Sequence, residues 1–85
     1  MFENKVVIVT GGAQGIGCSI AQKYVEQGAN VVVADVAEPA DTNIHFIKTD
    51  MRSESDVQAL MEQTAEQFGT IDILINNAGK FVVTP

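Results

Sequence analysis

Positive charge is scarce in this chain. Five Lys and Arg stand against eleven Asp and Glu in 85 residues, a formal net charge of −6. A protein that follows a nucleic-acid backbone needs a basic face to neutralise phosphates, and so few cations cannot build one. There is a single cysteine, Cys18, which excludes an intrachain disulfide and a multi-thiolate zinc site. Cys18 itself reads as a small buried hydrophobe, and no metal ligand set is expected. No apolar run approaches the roughly 20 residues of a membrane helix. The opening Met1-Phe2-Glu3-Asn4-Lys5 carries an acid and leads only into Val6 to Val9, unlike a signal peptide. A cytoplasmic setting is expected, with neither nucleic acid nor membrane as a partner. At this length the chain is at most one small domain, burying about 60–65% of its unfolded surface.

What is present is a strand-helix alternation. Val6-Val7-Ile8-Val9 is short, continuous and β-branched, as a strand buried on both faces of a parallel sheet should be. Ile16, Ile20, Ala21, Tyr24 and Val25 recur at helical spacing, with Gly28 as a stop. Val31-Val32-Val33-Ala34 predicts a second strand ending at Asp35. Val36 to Asn43 is polar or small and contains Pro39, leaving room for at most one helical turn before a third strand at Ile44 to Lys48. His45 and Lys48 suit an edge position there. Ser53 and Asp56 have capping-box spacing ahead of a stripe of Val57, Leu60, Met61, Thr64, Ala65 and Phe68, closed by Gly69. A fourth strand is expected at Ile71 to Ile75, running into Asn76-Asn77-Ala78-Gly79. The pattern predicts an α/β fold, a partial doubly wound parallel sheet in strand order 3-2-1-4, with the first helix on one face and the second on the other.

Two turns then meet at the point where the winding reverses. Thr10-Gly11-Gly12-Ala13-Gln14-Gly15-Ile16-Gly17 sits where the first strand hands over to a helix, and glycine there admits positive φ and close ligand approach. Free amides and the positive end of the helix dipole favour a bound pyrophosphate. Asp35 falls where a dinucleotide fold places an acid for the ribose hydroxyls. That acid would repel a 2′-phosphate, and Gln14 and Val36 supply no cation, so NAD is expected over NADP. Ligands of open α/β sheets bind at such a switch point, beyond the carboxyl ends of the strands.

Together, Thr10-Gly11-x-x-x-Gly15-x-Gly17, Asp35, Asp50-Met51 and Asn76-Asn77-Ala78-Gly79 resemble the classical short-chain dehydrogenase/reductase family over the whole chain. Gln14 departs from the extended, epimerase-like branch, which would place glycine there. The resemblance implies that Thr10 braces the glycine turn while Gly11, Gly15, Gly17 and the Ile16 backbone approach ribose and pyrophosphate. Asp35 would hold the ribose, Asp50 the adenine amino group, and the Met51 N–H the adenine ring. Asn76 would lie near the adenine ribose, with Ala78 and Gly79 flanking the dinucleotide and Asp72 tying the fourth strand to its surroundings. It further implies hydride transfer between a nicotinamide and an alcohol or ketone, in a homo-oligomeric parent enzyme. The family's Tyr and the Lys four residues on have no counterpart here, since Tyr24 is followed by Gly28 at that spacing. No catalytic residue is assigned. Residues 1–85 are expected to be the N-terminal part of a dinucleotide-binding domain, truncated before the catalytic half and inactive alone. The alternative is a non-catalytic NAD or adenine-nucleotide module, or an interaction module. A methyltransferase would share the glycine turn but leave Asn76 to Gly79 unexplained.

Overall fold

The structure is a computed structural model that describes residues 2–13, 15–40 and 43–77. The elements in order are β1 (Val6–Thr10), α1 (Gly15–Glu26), β2 (Asn30–Asp35), β3 (His45–Lys48), α2 (Glu54–Phe68) and β4 (Ile73–Asn76). The strands pair in parallel in the order β3-β2-β1-β4, the expected order. β1 is central, and all five of its residues are buried. Successive strand side chains point to opposite faces. Val7, Val9, Val31 and Val33 accordingly meet Ile20, Ala21, Tyr24 and Val25 of α1, while Ile8, Val32 and Ala34 meet Leu60, Met61 and Phe68 of α2. The two helices thus cover opposite faces, as the periodicity predicts.

Each helix ends on a left-handed glycine. At the end of α1 the Ala29 N–H donates to the Tyr24 carbonyl at 3.1 Å and the Gly28 N–H to Val25 at 3.0 Å, the paired bonds of a Schellman motif. Gly69 has φ 84° and closes α2 through Ala65. At the start of α2 the Ser53 hydroxyl accepts from the Asp56 N–H at 3.2 Å. The Asp56 carboxylate turns away from Ser53 and accepts from the Asp50 N–H at 2.9 Å. The box is therefore completed through the preceding loop, because Asp is one methylene shorter than the usual Glu.

Several expectations need adjusting. Ile16 is 75% exposed and lies outside the α1 packing stripe. Ala65 is exposed too, so α2 buries only the side carrying Leu60 and Thr64. β4 begins at Ile73 rather than Ile71. Asp72 donates its N–H to the Val6 carbonyl at 2.9 Å and accepts the Val6 N–H on its carboxylate at 2.8 Å, so a side chain stands in for the ladder just ahead of the strand. No described residue between β2 and β3 is helical, and Pro39 is buried in that connection. His45, on the outer strand, packs edge-on against Phe68 with centroids 4.9 Å apart, a structural contact. Among the described residues no helix is long and apolar enough to cross a membrane.

Candidate functional site

The carboxyl ends of β1, β2 and β4 converge on the glycine turn. Gly11 has φ 68° and Gly15 φ 64°, left-handed conformations that L side chains resist. Gly12 and Gly17 are demanded by space instead. A Cβ on Gly12 would fall 2.8 Å from Val33 Cγ2, and one on Gly17 only 2.2 Å from the Gly11 carbonyl oxygen. α1 therefore starts directly against the turn. Around Gly15 a Cβ would meet nothing within 4 Å among the described residues.

β4 holds the turn from the other side. The Asn77 side-chain amide donates to the Gly11 carbonyl at 3.2 Å. The Thr10 hydroxyl accepts from the Asn77 N–H at 2.9 Å and faces Asn76 Oδ1 at 3.2 Å. Thr10 thus ties β1 to β4 and its outgoing loop, and Asn77 ties that loop to the glycine turn. Asn76 is exposed at the strand end. Ala78 and Gly79, the remaining expected site residues, lie outside the described residues.

On the β2 side a cleft of ≈ 290 Å³ is lined by Gly11, Ala34, Asp35, Val36, Thr49, Asp50, Met51 and Arg52. Four of the sequence-derived site residues, Gly11, Asp35, Asp50 and Met51, share it. Asp35 Oδ2 accepts from the Ala13 N–H at 3.1 Å, and Oδ1 from Val36 at 2.6 Å and Ala37 at 3.2 Å. An ionised carboxylate offers about four acceptor positions, so capacity remains on the solvent side. The Asp50 carboxylate takes the Arg52 guanidinium in a fork at 3.1 Å on each oxygen, and the Arg52 N–H at 2.9 Å. Those side-chain hydrogen bonds hold the Asp50 carboxyl below its ordinary range and raise Arg52 in turn. Gln14 and Val36 supply no cation, but Arg52, which the sequence reading did not weigh, does. It lines the same cleft, but its charge is already matched by Asp50.

Sequence reasoning passed over Asn77, Gly12 and Arg52. The doubled Asn and doubled Gly were available signals; Arg52 had none beyond lying two residues after Asp50. A second groove, ≈ 360 Å³ and lined by Phe2, Ile20, Lys23, Tyr24 and Gln27, contains neither the glycine turn nor a carboxylate. Among the described residues no group of three or more His, Cys, Asp and Glu could hold a metal ion.

The arrangement has counterparts in known proteins. The family model described as short chain dehydrogenase matches residues 5–85. An uncharacterized oxidoreductase of Thermotoga maritima is 40% identical over 89 residues, covering 92% of this chain and 35% of that protein. L-fucose dehydrogenase of Oryctolagus cuniculus is 41% identical over 85 residues, covering 92% and 30%. The ligand-free aldohexose dehydrogenase of Thermoplasma acidophilum superposes with a TM-score of 0.88 at 35% identity, covering 92% and 31%. The chain thus spans about a third of the length of the curated relatives it matches. With the turn, the strand order and the match over residues 5–85 in agreement, the chain belongs to the short-chain dehydrogenase family.

Proposed function

We propose that residues 1–85 are the adenine-nucleotide half of the cofactor site of an NAD-dependent oxidoreductase, whose whole protein moves hydride between a nicotinamide and an alcohol or ketone. One observation carries this reading: Gly11, Asp35, Asp50 and Met51, contributed by three separate stretches of the chain, line a single cleft. The residues fit such a ligand. Among the described residues nothing crowds Gly15, the first amides of a helix lack partners within it, and Asp35 keeps an acceptor position for a ribose hydroxyl.

In this reading Gly11, Gly15, the Ile16 backbone and Gly17 form the pyrophosphate approach. Asp35 takes the ribose, Asp50 and the Met51 N–H take the adenine, and Asn76, Ala78 and Gly79 flank the dinucleotide. Asn77 and Thr10 hold the turn in place. The bound nicotinamide would supply the hydride acceptor or donor. NAD is preferred because Asp35 opposes a 2′-phosphate while Arg52 is committed to Asp50. The names of relatives, L-fucose dehydrogenase and cis-4-hydroxycyclohexanecarboxylate dehydrogenase, favour a hydroxylated substrate. A cytoplasmic, homo-oligomeric parent protein completes the reading.

Calorimetric titration of the chain with NAD, NADP and ADP tests it. NAD and ADP should release heat and bind at least about tenfold more tightly than NADP, as expected from a like charge placed against Asp35. Equal or tighter NADP binding would reverse the cofactor assignment. The non-catalytic reading rests on the lack of a Tyr-x-x-x-Lys among these 85 residues. Finding that motif in the whole protein would exclude it.

A further inference from the structure

Three consecutive residues of the glycine turn lie along the end of β2. The Gly11 N–H donates to the Ala34 carbonyl at 2.8 Å, Gly12 packs against the Val33 side chain, and the Ala13 N–H donates to Asp35 Oδ2 at 3.1 Å. α1 begins at Gly15. Ahead of it, a side chain rather than a strand carbonyl holds Ala13. That side chain is anchored in its own right, since Oδ1 accepts from the Val36 and Ala37 N–H groups at 2.6 and 3.2 Å.

We infer that Asp35 is a positioning residue for the glycine turn, clamping Ala13 to the end of β2, and not solely a contact for a ribose. The clamp stands on the hydrogen bonds alone; its effect on a phosphate ligand rests on the nucleotide reading proposed above. The two roles predict opposite signs for a ligand with no ribose. A carboxylate near a phosphate site repels the phosphate, so removing a pure ribose contact leaves inorganic pyrophosphate bound equally or more tightly. Removing a clamp disorders the amides that face the phosphate and weakens its binding despite the loss of negative charge.

The test compares the parent chain with Asp35→Ala and Asp35→Asn. Ligand-free amide hydrogen exchange is followed by NMR at Ala13, with Val7 to Val9 as the internal control for global opening. Inorganic pyrophosphate is titrated by calorimetry. In Asp35→Ala, Ala13 exchange should accelerate about tenfold relative to the control, the worth of one hydrogen bond to a charged group. Pyrophosphate affinity should fall about threefold or more. Asp35→Asn keeps the side-chain shape and one acceptor oxygen; it should change in the same direction by less, and it serves if the alanine variant does not fold. Ala13 exchange that tracks the control in both variants, or pyrophosphate bound as tightly by Asp35→Ala as by the parent, would overturn the inference. If the parent chain binds no pyrophosphate, that counts against the nucleotide reading, and the exchange result alone decides the clamp.

Discussion

Gly17 and Gly15 are two positions apart and glycine for different reasons. A methyl at Gly17 would overlap the Gly11 carbonyl at 2.2 Å, which is backbone of the turn, and the Asn77 side-chain amide at 2.5 Å, which bonds that carbonyl. Gly17→Ala should therefore cost about 1–3 kcal/mol in chemical denaturation, as overpacking does, and also displace the Asn77 bond. Gly15→Ala meets no atom of the described residues within 4 Å and should cost the left-handed penalty, about 1–2 kcal/mol. A Gly17→Ala variant as stable as the parent would contradict the close approach of α1. Asp50 offers a second residue-scale prediction. Its folded carboxyl titrates below the ordinary 3.8 because Arg52 hydrogen-bonds it. A depressed acid contributes stability above its unfolded value and loses it as pH falls through the folded one. Carbon NMR should place its midpoint below 3.8, and Arg52→Ala should raise it only part of the way back, because the backbone N–H of residue 52 still donates to the carboxylate. At this scale the glycine spacing and Asp35 were readable in the sequence, because turn chemistry is local. The doubled Asn marked Asn77 without giving its partner, and Arg52 was not marked at all, since each matters through a partner brought near by folding: Gly11, 66 positions away, and a cleft wall shared with Asp35.

The strands and helices were legible wherever one periodicity had no competitor. β1 and β2 are continuous β-branched runs bounded by glycine or Asp, and α2 has a cap, an apolar side and a glycine stop. The errors fell where a side chain replaced a backbone partner. Asp72 displaced the start of β4 by acting as part of the ladder, and Asp56 completed the α2 cap through Asp50. Ile16 read as core because the helical period is blind to where a helix first meets the sheet. Leu60, the fully buried anchor of α2, carries the packing of that helix on Ile8, Val32 and Ala34. Leu60→Ala should destabilise the chain by about 2–5 kcal/mol. An unchanged urea midpoint would show that α2 is not packed as described.

For the molecule as a whole, the sheet is asymmetric. Among the described residues β4 is an edge, and Leu74 on it is 50% exposed. Apolar edges recruit further strands, so the chain should self-associate at micromolar concentration, and Leu74→Lys should shift sedimentation toward the monomer. A monomeric parent chain with a cooperative thermal transition would count against this. In the reading proposed above, the ends of β1, β2 and β3 form one nucleotide site, with β4 bracing the glycine turn. An amide NMR titration of the chain with NAD tests it most directly. The amides of Gly11, Ala13, Gly15, Ile16, Asp35 and Met51 should move together along one binding curve. Shifts confined to the groove at Phe2, Ile20 and Tyr24, or none at all in a chain that is folded, would contradict it.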